Sequence, residues 1–451
     1  MSLGIEDQAL MGMGIESVQI QSGNFDILTP GARVTLTREG ELGVEQRVGT
    51  QRKLLRCALP PHLAPWRLET WTPFRCVLVS DGLRLTIQGD SVLRFAPDQP
   101  LRLNFSGHFR PRYAQEAKGN RLILDELGGC GFYGIPSRPT AADSLGSSPW
   151  SLRCHLMRWD EFWVSVCPPR PRDEVRYYQS IEHDAPPFTD DVIRDAAKHC
   201  QVFVTHAQWA ADAPEWCENP PGSDYVHPMP WASARYVPDD PITFARQRDL
   251  AQSLGMKFIP YLSLYYSNAP DLLAEMERVL TEYRVDGLYF DGWVGFDDDF
   301  RRAYDVIRRA RALLGDRILY LHCSSEPYQK PGVYCPFAYA YSDFILSGEA
   351  GRGGLAEDDF LRYIVSQYQI SNSVGVWCYY GSMGQEGYHD DVPTTEHIKA
   401  ALRHKARVWR QAQTLEGKEA GGWFRYPEDF ARFDREYYAL LAQEREKEQR
   451  G

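Results

Sequence analysis

The sequence predicts an α/β protein: a (β/α)8 TIM barrel preceded by an all-β sandwich domain, with a C-terminal helical tail. Three observations carry this expectation. From about residue 15 to 170, short runs alternate apolar and polar residues at period two, as half-buried strands do. After roughly residue 175 the rhythm changes to strand, helix, strand. No GxGxxG or GxxxxGKS/T loop follows any of those later strands, which favours a barrel over a doubly wound sheet. The expected boundaries are 1–174 for the sandwich, 175–415 for the barrel and 416–451 for the tail.

In the first region ARVTLTREG, DGLRLTIQGDSVLRF and LRLNFSGHF are bordered by Gly, Asp or Pro. DGLRLTIQGD puts Leu83, Leu85 and Ile87 on one face and Arg84, Thr86 and Gln88 on the other. NRLILDELGGCGFYG (120–134) ends a strand in acids and glycines and is best read as a tight turn between strands. The second region opens with VRYYQSIEH (175–183), then a helix at FTDDVIRDAAKH in which Thr189 is the N-cap. QVFVTHAQW, MKFIPYLSLYY, DGLYFDGW, RILYLHCSSE, YSDFILSGEA and VGVWCYYGSM supply six further strands. Helical patterns lie between them, and Gly255 closes the helix that precedes MKFIPYLS. The visible strands begin near 177, 202, 257, 286, 317, 343 and 374, one short of a barrel, with GGWFRY (421–426) as the candidate eighth. TTEHIKAALRHKARVWRQAQ reads as one long amphipathic helix.

Composition narrows the partners. The formal net charge of −11 argues against nucleic acid and against an anionic membrane. Apolar stretches fall well short of the ~18 residues of a membrane span. The N-terminal segment has acids and no basic region, so it does not read as a secretory signal, and a cytoplasmic location is expected. The ten cysteines are scattered without a CxxC pair, as reduced thiols would be. Oligomeric state leaves no trace in the sequence.

The strand ends are polar where ordinary cores are not. The second strand ends in His206 and Trp209, the third in Tyr261 and Ser263, the fourth in Asp291 and Trp293. The fifth ends in His322, Ser324 and Glu326, the sixth in Glu349, and the seventh in Tyr379 and Tyr380. In a barrel these ends converge on one mouth. Glycoside hydrolysis needs two carboxylates flanking the bond, about 5–5.5 Å or about 6.5–9.5 Å apart. Asp291 pairs in this reading with Glu349 (349 − 291 = 58 residues on) or with Glu326 (326 − 291 = 35). Glu349 is preferred because an apolar strand precedes it and a glycine-rich loop follows, whereas Glu326 precedes Pro327. His206, Trp209, Trp231, Tyr261, Trp293, His322 and Tyr379 are candidate sugar contacts. Trp231 belongs to a long aromatic loop, 207–241, read as a substrate wall. Asp286, at the opposite rim, reads as structural. His206 and His322 could ligate a metal with Asp291, but no HxH or HExxH spacing supports that; no metal and no cofactor are expected.

DGLYFDGW, with GMKFIPYLS about 30 residues before it, resembles the barrel core of α-glycosidases. The resemblance spans about 175–385. It implies, as in α-galactosidase families 27 and 36 and α-glucosidase family 31, an aspartate nucleophile at the fourth strand tip and an acid/base at the sixth. Families 101 and 129 are similar in the DG-hydrophobic-D motif and take a glutamate from the fifth strand; an N-terminal β-sandwich is common to these groups. The sequence departs from the α-galactosidase pattern in lacking its KxD signature and in carrying a glutamate at the sixth strand. The expectation is a glycosidase with Asp291 as nucleophile and Glu349 as general acid/base. The competing expectations are a non-catalytic carbohydrate-binding barrel and a metal-assisted hydrolase.

Overall fold

Period-two alternation is realised directly in the N-terminal half. Along Leu83–Gln88, Leu83, Leu85 and Ile87 are buried and Arg84 is exposed; Gln88, expected on the outer side, is buried as well. The computed structural model describes residues 4–117, 119–135, 141–143, 149–158, 160–169, 176–183, 189–205, 209–210, 234–263, 267, 269–291, 300–323, 335–347, 356–366, 368, 370–378, 394–410 and 427–450. Within them, two eight-stranded antiparallel sheets make up the first part of the chain. One runs from Ser17–Gln21 at one edge to Ala141–Asp143 at the other, and the second from Tyr113–Ala117 to Arg67–Trp71. Side chains of both sheets share one hydrophobic core, where Phe105 meets Phe95, Phe132 and Phe162 at ring separations of 5.9, 5.5 and 5.8 Å. The 120–134 segment is a hairpin as expected. Asp125 pairs with Gly128 across a two-residue turn, and Gly128 holds a φ of +120° that a side chain would strain.

Asn120–Asp125 and Gly128–Ile135 of the second sheet are covered on both faces and buried along their whole length, whereas Arg67–Trp71 at its far edge keeps exposed residues. Its outer face carries Tyr113, Tyr133 and Trp163. Trp163 packs edge-on against Phe300 and Tyr304 of the helix Phe300–Leu314, at 5.1 and 5.4 Å. Tyr133 does the same against Phe337 of the short helix Pro336–Tyr339, and Tyr113 stacks on Tyr363 at 4.9 Å. Aromatic rings are therefore the mortar between the two halves of the molecule.

The second half is an eight-stranded parallel sheet in chain order: Ser180–His183, Val202–Thr205, Lys257–Ser263, Gly287–Asp291, Ile318–Cys323, Phe344–Ser347, Val374–Trp377 and Arg407–Val408. Each strand is parallel to the next, with helices in the crossovers. Capping is local. Asp240 accepts from the amides of Ile242 and Thr243, Asp271 from that of Ala274, and Gly255 (φ +83°) follows the helix Pro241–Ser253. Thr189 occupies the expected N-cap position, but its side chain makes no capping bond.

The eighth strand corrects the sequence expectation. The pattern read as one helix over TTEHIKAALRHKARVWRQAQ stops at Arg403, after a Thr394–His397 capping box has started it. His404 is the C-cap, Lys405 turns into the left-handed region (φ 61°), and Arg407–Val408 then pairs with Val376–Trp377. GGWFRY lies outside the described residues. The first strand meets the far edge of the sheet: Glu182 N–H donates to the carbonyl of Arg410 (2.9 Å), and Arg407 Nε to that of Tyr178 (2.9 Å). The C-terminal helix Pro427–Arg450 covers this seam. Its buried Tyr437 hydroxyl donates to Gln179 Oε1 (2.6 Å) and accepts from the Val408 amide (3.1 Å), so the charged segment is anchored rather than trailing. Among the described residues no helix is long and apolar enough to cross a membrane.

Candidate active site

Asp291 is the last residue of the fourth parallel strand, after Leu288, Tyr289 and Phe290, all fully buried. A carboxylate ending such a strand needs partners, and both flanking strands supply one. From the third strand, Tyr261 donates its hydroxyl to Asp291 Oδ2 at 2.8 Å. From the fifth, His322 Nδ1 lies 3.2 Å from Oδ1. Ser263, directly opposite Asp291 in the register, donates its Oγ–H to the Asp291 carbonyl at 3.3 Å. The Asp291 side chain keeps 19% of its exposure against 9% for His322, so the carboxylate meets solvent while its partners are covered.

Residues two apart on a strand share a face, and the residues two before this polar tier form a floor. Tyr261, Tyr289 and Tyr320 lie side by side on adjacent strands, with ring separations of 5.8 and 4.8 Å. Tyr289 Oη lies 2.7 Å from His322 Nδ1. Burial, and then the neighbouring Asp291 carboxylate, push the Tyr261 phenol well above its ordinary value, so it remains a hydrogen-bond donor. Tyr236, raised to about 12 by burial, accepts from the Ser263 amide at 3.2 Å. Beneath the polar tier the floor of Tyr261, Tyr289 and Tyr320 is buried.

Glu182 is a carboxylate that strand-by-strand reading passed over. It is fully buried near the end of the first strand. It faces Tyr320 of the fifth strand, whose phenol is pushed well above its ordinary value by burial first and by Glu182 next. The signal was present in SIEH, an acid at a strand end of the same kind as Asp291.

Two expected sugar contacts have other roles here. Trp209 is buried to 3%, donates Nε1–H to the Tyr261 carbonyl (2.7 Å) and packs on Tyr236, Phe244 and Tyr283. It belongs to the core that holds the third strand, not to a substrate wall, because its indole has both an apolar nest and a buried acceptor. Tyr261, also nearly covered, turns its hydroxyl to Asp291. Glu326, Glu349, His206, Trp231, Trp293 and Tyr379 lie outside the described residues. Asp286 is structural as expected: it accepts from the Phe258 amide, Gln252 and Lys257 at 3.0, 2.9 and 3.1 Å. It also lines a cleft of about 450 Å³ with Arg176, Lys257 and Arg317, at the end of the sheet away from Asp291. Among the described residues no three His, Cys, Asp or Glu side chains converge as a metal site.

No protein-family model matches this chain, and no curated protein matches it in sequence. Among solved structures it is similar to the ligand-free α-N-acetylgalactosaminidase NagBb of Bifidobacterium bifidum, at 9% identity over 95% of this chain and 93% of that one, with a TM-score of 0.37. A GH18 chitinase of Pseudoalteromonas aurantia is matched at 10% identity, over 59% of this chain and 98% of that one, with a TM-score of 0.36. A truncated 3-deoxy-D-arabino-heptulosonate 7-phosphate synthase of Thermotoga maritima is matched at 12% identity, over 59% and 87%, with a TM-score of 0.35. Scores this low, shared between glycosidases and a synthase, leave the functional argument to the site.

Proposed function

We propose that this chain is a glycoside hydrolase acting on an α-linked sugar, built as a (β/α)8 barrel behind a β-sandwich. The observation that carries the reading is Asp291: a partly exposed carboxylate at the C-terminal end of the fourth strand, oriented by one polar group from each neighbouring strand. That end of a parallel barrel is where such enzymes place their chemistry. In the proposed mechanism Asp291 attacks the anomeric carbon while Glu349 protonates the departing glycosidic oxygen. Glu349 then takes a proton from water, which displaces Asp291 and releases the sugar. No cofactor takes part. The Glu182–Tyr320 approach and the Glu182–Arg410 bond support a sheet curled upon itself, as the barrel requires.

The test is hydrolysis of a panel of aryl α- and β-glycosides by wild type, Asp291→Asn, Glu349→Gln and Glu326→Gln. The proposal expects cleavage of at least one α-glycoside and losses of several orders of magnitude in the first two variants. Full activity in Asp291→Asn refutes it, and loss in Glu326→Gln instead of Glu349→Gln moves the acid/base to the fifth strand.

A further inference from the structure

Asp291 is engaged at both oxygens, Tyr261 at Oδ2 and His322 at Oδ1. A carboxylate can only accept, so its 3.2 Å approach to His322 is attractive only when Nδ1 bears hydrogen. A tyrosine hydroxyl can donate or accept, so Tyr289, 2.7 Å from the same nitrogen, is compatible with either tautomer. The Asp291 carboxylate therefore favours the form of His322 with hydrogen on Nδ1. The terminal torsion of an aspartate is broad and nearly two-fold when nothing holds it. With hydrogen on Nδ1, donors from the two neighbouring strands would fix the carboxylate plane.

We propose that His322 is a positioning residue rather than a sugar ligand: its Nδ1–H, backed by Tyr289, clamps Asp291 Oδ1 while Tyr261 clamps Oδ2. The surroundings give this clamp little room to relax. Tyr261, Tyr289 and Tyr320 are buried on the third, fourth and fifth strands, Tyr236 closes the third-strand side, and Glu182 lies beyond Tyr320 on the first. His322 itself is nearly covered, which suits a group that holds its neighbour better than one that reads a substrate hydroxyl. The role in catalysis rests on the proposed function of Asp291, but the clamp is measurable without a substrate.

The experiment is 15N NMR of the full chain labelled at histidine, with the His322 ring assigned by its loss in His322→Asn. At neutral pH the wild type is expected to show a protonated, pyrrole-type Nδ1. Tyr289→Phe is expected to keep it, and Asp291→Ala to move the proton to Nε2 as Tyr289 donates to the bared Nδ1. A pyridine-type Nδ1 in wild type, or a tautomer unchanged in Asp291→Ala, overturns the clamp. So does loss of the Nδ1–H form in Tyr289→Phe, which also guards against an Asp291→Ala chain that does not fold. On any glycoside the wild type cleaves, His322→Leu is expected to lower kcat about ten- to hundred-fold with KM nearly unchanged, and His322→Asn, which keeps an N–H donor, to recover part of the loss. A rise in KM with kcat intact would make His322 a sugar ligand and overturn the proposal. If no glycoside is cleaved while the tautomers behave as stated, the clamp stands and the glycosidase reading falls alone.

Discussion

Asp90 provides a sharp test of how the two halves of the molecule are held together. It lies between the strands Leu83–Gln88 and Val92–Pro97, with its carboxyl buried against the parallel-sheet half. The hydroxyls of Tyr304 and Tyr341 both donate to its Oδ2, the latter at 2.8 Å. The Arg308 guanidinium, which interacts electrostatically with Asp90, lies 3.6 Å from the Phe74 ring centre and donates to the Gln8 carbonyl at 2.9 Å. Asp90→Ala strands two buried phenols, at about 1–3 kcal/mol each, and takes a counter-charge from Arg308; a loss of about 3–5 kcal/mol is expected, as when one partner of a buried charged group is removed. Asp90→Asn keeps an oxygen acceptor and is expected to stay within about 1 kcal/mol of wild type at neutral pH.

The pH dependence has a definite sign. Burial raises the Asp90 carboxyl above the ordinary carboxylate range. Its contribution to stability is complete below the unfolded value of about 3.9 and is lost as pH rises through the higher folded value. Asp90→Asn has no such dependence, so it should gain on wild type as pH rises above the unfolded value of about 3.9. Urea unfolding followed by tryptophan fluorescence measures all three proteins. An Asp90→Ala midpoint equal to wild type, or an Asn variant as damaged as Ala, would refute the reasoning.

Further expectations concern single side chains. Tyr261→Phe removes one donor from Asp291, worth about 1.5–3 kcal/mol to a charged acceptor; stability in urea should fall by no more than that, and kcat on a cleaved glycoside about ten- to hundred-fold. Trp209→Ala should lower stability by about 3–5 kcal/mol in urea unfolding, as truncating a core indole does; a near-normal midpoint with weakened sugar binding would return Trp209 to the substrate wall. Burial pushes the thiols of Cys57, Cys76 and Cys167 up to about 12. Peptide mapping after iodoacetamide treatment at neutral pH should find all three unmodified in the native protein and modified in urea.

The parts of this structure legible in the sequence are those governed by local periodicity. The alternation of Leu83, Leu85 and Ile87, the Gly255 stop of the helix before the third strand and the partly exposed acid after Leu288–Phe290 all follow from neighbours a few residues away. What escaped was set by contacts distant in sequence. The eighth strand is only Arg407–Val408, too short to interrupt the helical pattern before it; its place comes from Val376, Trp377 and Tyr437. Trp209 looked like a loop aromatic because nothing nearby in sequence shows Tyr236, Phe244 and Tyr283 converging on it. The same holds for Tyr133, Trp163, Phe300 and Phe337, which serve the contact between the halves. Glu182 was readable by the rule that singled out Asp291, but its strand is only four residues long and Tyr320, which gives it meaning, lies 138 residues further on (320 − 182 = 138).

The central claim is that Asp291 is the nucleophile, and chemical rescue tests it most directly. Asp291→Gly opens the space of the missing carboxylate to a small external anion. With an activated aryl glycoside that the wild type cleaves, the variant should be inactive in buffer, regain activity in sodium azide and yield a glycosyl azide as the anion attacks the anomeric carbon in place of the side chain. An Asp291→Gly protein that hydrolyses the same glycoside at the wild-type rate without azide would contradict the account.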